Sequence, residues 1–199
     1  MMKLFYTPNS PYARVARVVA LELNLADQIE MKKVTVREPN SELLYYNPTG
    51  KVPTLQTEDK FILSETRIIC AYLNNLNDDI QLFASICDAP LLQFEGMVGG
   101  FLDGIAVWVR EIRRATDEQS FSVIELERAR ALRCLEHFEQ CSHRLAQQSI
   151  FGQIMLGCTL GIMEARLTQF QWRQKHLQLA NWYDEFSRYP FMQATIPEV

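Results

Sequence analysis

Apolar positions along the first 77 residues change their period several times. Residues 3–6 (Lys-Leu-Phe-Tyr) form a short apolar run stopped by Thr7-Pro8-Asn9, which predicts a buried strand. From Ser10-Pro11 the spacing becomes helical. Ala16, Val19, Ala20 and Leu23 recur at i, i+3, i+4 and i+7, so one face is expected to be buried. Serine suits the N-cap of such a helix and proline its first turn. Alternation returns over residues 29–36, with a slip between Met31 and Val34, and predicts a second strand. Residues 41–46 read as a short helical turn, and Asn47-Pro48-Thr49-Gly50 as a loop. Residues 54–57 and 61–63 are two short strands joined by Glu58-Asp59-Lys60. A helix follows from Glu65, with Ile69, Tyr72, Leu73 and Leu76 on its inner face and Ser64 as its cap.

The order strand, helix, strand, helix, strand, strand, helix is a βαβ unit followed by a hairpin and a closing helix. It predicts an α/β layer with a mixed sheet. Residues 74–79 are polar and turn-rich and start a linker, after which strand signals stop. Helices are expected over 91–115, 121–147, 154–170 and 177–187. Leu132, Leu135, Phe138 and Leu145 point inward in the second of these. The third carries Gly157, Cys158, Gly161 and Ala165, small residues that let neighbouring helices approach closely. Ser149 and Gln153 miss the register of a capping box by one residue, so a weak cap is expected there. Two domains follow: an α/β domain over residues 1–78 and an all-helical bundle over 86–199.

Composition narrows the function. The 199-residue chain has a net charge of -4 and no run of lysine or arginine, which argues against nucleic acid or an anionic membrane as partner. No stretch approaches the roughly 20 apolar residues of a membrane span, and the start of the chain has no signal-peptide core, so a cytoplasmic protein is expected. The five cysteines are odd in number and loosely spaced, with no CxxC, and read as free thiols. Cys134, His137 and Cys141 share one helix face, yet lack a fourth ligand, and Leu135 and Phe138 beside them favour packing. No metal site is expected. Gly96, Gly99, Gly100 and Gly104 lie within a helix and read as contact positions, not as a phosphate loop.

Three passages stand in order within the first domain: Ser10-Pro11-Tyr12-Ala13-Arg14, Asn47-Pro48-Thr49-Gly50-Lys51-Val52-Pro53-Thr54-Leu55, and Leu63-Ser64-Glu65-Thr66-Arg67-Ile68-Ile69. Together they resemble the N-terminal domain of the glutathione transferases, with threonine at position 66 where that family commonly has serine. Ala180-Asn181-Trp182-Tyr183, Tyr189-Pro190-Phe191 and Ala194-Thr195-Ile196-Pro197 resemble the last helix and tail of the same family. The resemblance covers essentially the whole chain and implies a thioredoxin-like first domain (βαβαββα) that holds glutathione, followed by the all-α bundle.

The resemblance also implies roles. Val52-Pro53 would be a cis peptide, offering the Val52 N–H and C=O as a strand edge to the cysteinyl backbone of glutathione. The γ-glutamyl end would meet Glu65 and the Thr66 hydroxyl at a helix start, and the glycyl carboxylate would meet Lys51. Ser10 occupies the turn where thioredoxin-like proteins carry their reactive residue. A serine there cannot form the mixed disulfide of the Cys-Pro relatives, but can hold glutathione as a thiolate. Tyr6 is the alternative donor, because other classes use a tyrosine near the end of the first strand, and Thr7 and Asn9 are lesser candidates. Asp103, Trp108 and Arg110 are candidates for the cleft of the second substrate. The implied activity is transfer of the glutathione sulfur to a small, mostly apolar electrophile, in a homodimer with a detoxifying role. The alternative is a glutathione transferase-like binding or regulatory protein without turnover.

Overall fold

The computed structural model describes residues 1–198; residue 199 lies outside the described residues. Two compact units are formed. The first comprises Met1–Phe83 and residues 194–198, and the second is Ala84–Gln193.

In the first unit, β1 (Met2–Tyr6), α1 (Pro11–Glu22), β2 (Ile29–Lys33), α2 (Leu43–Tyr46), β3 (Thr54–Gln56), β4 (Ile62–Ser64) and α3 (Thr66–Asn74) follow one another. The strand order is β2-β1-β3-β4. β1 and β2 are parallel, and α1 supplies the crossover that parallel neighbours require. β3 is antiparallel to both β1 and β4. The thioredoxin-like order expected from the sequence is therefore present. β2 is shorter than its alternation predicts. The Val34 N–H still bonds to Tyr6 O at 2.9 Å, but β1 ends at Tyr6, so Thr35 and Val36 have no neighbouring strand.

α1 packs against both β1 and α3, so it is buried on more than the one face its periodicity suggests. Ala13, Val15, Ala16, Val18, Val19 and Ala20 are all inaccessible to solvent. On the other side of β1, Phe5 meets the Tyr46 ring of α2 at 4.5 Å between centroids. Leu76, expected on the inner face of α3, lies beyond the helix end and is exposed.

The linker folds with the first unit. The buried Asn74 side chain donates to Gln81 Oε1 at 3.0 Å and accepts from the Leu82 N–H at 2.8 Å, which seats Leu82 in the core. The last described residues also return to this unit, where Arg14 Nε donates to Thr195 Oγ1. The two units thus divide the chain differently from the 1–78 and 86–199 split that composition suggests.

The second unit is helical: α4 (Ala89–Glu111), α5 (Phe121–Gln140), α6 (Ile150–Arg166), α7 (Leu177–Phe186) and α8 (Pro190–Gln193). The single helix expected over 121–147 is broken at Cys141, after which residues 142–147 form a 3-10 turn. Leu132 is exposed, contrary to expectation, because Ala131, Leu135 and Phe138 take the inward face. α6 is buried from Phe151 to Met163 except at Gln153, as a central helix should be. A side chain at Gly157 would lie 2.8 Å from the Phe186 ring, so the glycine is what lets the two pack. The cap of α6 is sounder than its sequence suggests. Ser149 Oγ accepts from the Gly152 N–H at 3.2 Å, and Gln153 donates to Gln148 O instead of closing a box.

Candidate functional site

One row of the sheet places the candidates. Phe5 is paired with Thr54 across β1 and β3, and Thr54 with Ser64 across β3 and β4. Continuing past this row, β1 runs into Tyr6 and the turn to Ser10. β3 is preceded by Val52-Pro53, and β4 is followed by Glu65-Thr66. Three sequence-distant segments therefore emerge side by side at one end of the sheet.

Ser10 caps α1 with extended backbone angles, and its Oγ accepts from the Ala13 N–H at 3.2 Å. The bond uses the oxygen as acceptor and leaves the hydroxyl proton free to donate. The neighbouring Asn9 has a buried Oδ1 with no hydrogen-bond partner among the described residues. Tyr6 is half-buried beneath the Arg17 guanidinium, 4.5 Å from its ring centroid.

The loop before β3 is held by Asn47 and Thr54, neither of which is among the residues expected at the site. Asn47 is 3% exposed; its Nδ2 donates to Thr54 Oγ1 at 2.8 Å, and its Oδ1 accepts from the Thr49 N–H and hydroxyl. Thr54 Oγ1 in turn donates to Lys51 O at 2.8 Å. Asparagine in a turn is the one signal of this in the sequence, since its side chain commonly bonds to backbone two residues on. Gly50 has φ +61, which suits glycine. This framework presents Val52, whose N–H and C=O make no hydrogen bond among the described residues, and the Val52–Pro53 peptide is cis. The exposed Lys51 ammonium has no carboxylate partner among the described residues.

Glu65, not Ser64, caps α3. Its Oε2 accepts from the Arg67 and Ile68 N–H groups at 2.9 and 3.4 Å. The Ile69 N–H bonds to Glu65 O, so of the first four donors of α3 only the Thr66 N–H is left over. The Thr66 hydroxyl, in a residue 6% exposed, also makes no hydrogen bond among the described residues. Glu65 holds φ 79 and ψ 131. For a residue with a Cβ this conformation costs about 1–3 kcal/mol. It leaves a carboxylate, an N–H and a hydroxyl together at a helix start, a set that can take an ammonium and a carboxylate from one ligand.

Within the helical unit, Asp103 and Arg110 are both exposed and lie seven residues apart on α4, hence on one face. Trp108 is rotated away from them; it is 6% exposed and meets Phe170 edge-on at 5.0 Å. The three are not brought together, and Trp108 serves the packing of its unit. Burial pushes the Cys134 and Cys141 thiols up, which disfavours the thiolates that a metal would need. Among the described residues, no group of three or more His, Cys, Asp or Glu is placed to hold a metal ion. No helix among the described residues is long and apolar enough to cross a membrane.

A βαβαββα unit of this topology, with two helix starts and the Val52-Pro53 loop at one end of its sheet, joined to a helical unit, has the glutathione transferase class of fold. Residues 4–79 match the glutathione S-transferase N-terminal domain family. The chain therefore carries a glutathione S-transferase N-terminal domain within a glutathione S-transferase fold. A glutathione transferase family member from Pseudomonas fluorescens Pf-5, solved with bound glutathione, is 28% identical with a TM-score of 0.92, and each chain covers 100% of the other. A glutathione S-transferase from Methylobacillus flagellatus KT, also with glutathione bound, is 29% identical with a TM-score of 0.90 and the same full coverage. The uncharacterized GST-like protein YibF of Escherichia coli K12 is 24% identical over 99% of this chain and 100% of its own length.

Proposed function

We propose that the chain is a glutathione transferase in which the first unit binds glutathione and activates its sulfur. The observation that carries this reading is the row Phe5, Thr54, Ser64, from which the turn to Ser10, Val52-Pro53 and Glu65-Thr66 all leave at one end of the sheet. The γ-glutamyl carboxylate is received by the Thr66 N–H and hydroxyl, and its ammonium by Glu65. The cysteinyl backbone pairs with Val52 beside Pro53, and the glycyl carboxylate with Lys51. Glutathione in the Pseudomonas and Methylobacillus structures supports the ligand.

The sulfur then lies at the start of α1. A free thiol has a pKa of about 8.5, so the site must favour the anion near neutral pH. A hydrogen bond from the Ser10 hydroxyl to the thiolate contributes about 1.5–3 kcal/mol. The helix start adds about 0.3–1 kcal/mol. At about 1.36 kcal/mol per unit, these lower the thiol pKa by roughly 1–3 units. The thiolate attacks the electrophilic carbon, the new C–S bond forms, and the displaced pair leaves with the leaving group or takes up a proton. Tyr6 is the alternative donor. The electrophile is small and mostly apolar.

The protein acts as a two-fold homodimer in the cytoplasm, in a detoxifying role. A Cβ added at Gly96, Gly99 or Gly100 of α4 would meet nothing within 4 Å among the described residues, and Phe121 and Leu126 of α5 are exposed, which supports a covering partner. Light scattering should report twice the 23.1 kDa chain mass. One observation favours a second reading, a binding protein without turnover: Ser10 already has a structural task as the cap of α1. Retention on immobilised glutathione with elution by free ligand tests the binding common to both. Conjugation of a chloronitrobenzene by the eluted protein separates them, and its absence leaves the binding protein.

A further inference from the structure

Asn47, Asn74 and Asn77 of the first unit each use both ends of the side-chain amide: Nδ2 donates and Oδ1 accepts. Asn9 uses neither. It is half-buried, its Oδ1 is buried without a donor, and its Nδ2 makes no hydrogen bond among the described residues. The backbone around it is settled. The Ser10 N–H bonds to Thr7 O at 3.2 Å, which closes a turn with Pro8 and Asn9 at its two central positions. An asparagine in a turn commonly accepts from the N–H two residues on. Here that residue is Pro11, which has no N–H to give. The usual structural use of the side chain is therefore closed to Asn9.

The amide can sit either way round. With Oδ1 inside, one acceptor goes unpaired; with Nδ2 inside, two N–H donors would. Unpaired buried carbonyls are tolerated better than unpaired buried N–H groups, so the first arrangement costs less. It leaves Asn9 with an outward end that only donates, whereas the Ser10 hydroxyl can donate or accept. A donor favours a thiolate over a thiol, because a hydrogen bond made to the charged form lowers the pKa of an acid. The amide does not titrate, so it offers the same donors at any pH. The charged and titratable groups on the elements around the turn are Tyr6 under Arg17, Lys33 opposite Tyr6, Arg14 on α1, and Glu65 and Arg67 at the start of α3. All of them are unchanged when Asn9 alone is replaced.

We propose that Asn9 is a second donor to the glutathione thiolate, its Nδ2 sharing the sulfur with the Ser10 hydroxyl. The proposal rests on the glutathione transferase reading, which puts the sulfur at the start of α1. The experiment is titration of the ultraviolet thiolate absorbance of the glutathione complex in wild type, Asn9→Ala and Asn9→Asp, with the melting temperature of each. Asn9→Ala removes the donor together with the unpaired acceptor. The bound thiol pKa should rise by about one unit, a tenfold loss of thiolate below the pKa, while the melting temperature holds or rises. Asn9→Asp keeps the shape and the turn preference but turns an oxygen toward the sulfur, and should raise the pKa further. Either variant folded with an unmoved titration overturns the proposal. A shift in Asn9→Ala that comes with a clear fall in melting temperature marks a structural role and overturns it too, as does failure of both variants to fold. A wild-type protein that binds glutathione in calorimetry but shows no thiolate at any pH below the free thiol value overturns the catalytic reading itself.

Discussion

The first unit contains two helix starts at the same end of one sheet, and they are built differently. Ser10 begins α1 with φ -82 and ψ 116, an ordinary conformation for a capping serine, and a single bond to Ala13. Glu65 begins α3 with φ 79 and ψ 131, and a carboxylate that caps two N–H groups at once. Folding alone explains the first. It does not explain the second, because a serine or aspartate with extended angles would cap α3 without the backbone cost. The strained start is thus the stronger mark of a binding site. The relaxed start is the one that needs kinetics to reveal whether it does anything beyond capping.

Ser10→Ala should give the largest effect. The conjugation rate near pH 6.5 should fall about ten- to a hundredfold, since most of the thiol pKa shift of roughly 1–3 units is lost. The deficit should shrink as pH rises and thiolate forms unaided. Tyr6→Phe run beside it breaks the comparison if it carries the shift and Ser10→Ala does not. Glu65→Ala should come next, with a loss of about 1–2 kcal/mol in glutathione affinity by calorimetry, the range of a charge-assisted hydrogen bond. Unchanged affinity would place the ligand elsewhere.

Glu65→Gly sharpens the contrast further. Glycine relieves about 1–3 kcal/mol of backbone strain and, as a replacement cap, costs only about a few tenths of a kcal/mol. Thermal stability should hold or rise slightly while affinity falls as far as in Glu65→Ala. A large drop in melting temperature would show that Glu65 is structural. Lys51→Ala should have the smallest effect, about a fewfold loss of affinity that fades as salt is raised, as expected of an exposed ion pair. A salt-independent loss would mean that Lys51 acts by shaping the loop.

Elements with one dominant local signal are legible in the sequence. β1, α1, the β3–β4 hairpin and the central place of α6 follow from apolar period, from Ser10-Pro11, and from the small residues around Gly157. The breaks and boundaries do not. β2 stops at Lys33 because its neighbour stops, and the inward face of α5 falls on Ala131, not Leu132, because the surrounding helices choose the face. Both are properties of a partner, which no local pattern contains.

The candidate site divides along the same line. The chain's own residues determined the chemistry on offer: a serine at a strand-to-helix turn, an X-Pro before a strand, and Glu-Thr after one. Only tertiary structure decided that these groups emerge from one sheet row, that Asn47 and Thr54 hold the loop between them, and that Glu65 and not Ser64 caps α3. It also decided that Thr195 reaches Arg14 and that Trp108 belongs to packing. Strand register and long-range hydrogen bonds fix those relations. They are set by residues far apart in sequence, where the energy of each contact depends on everything else already being in place.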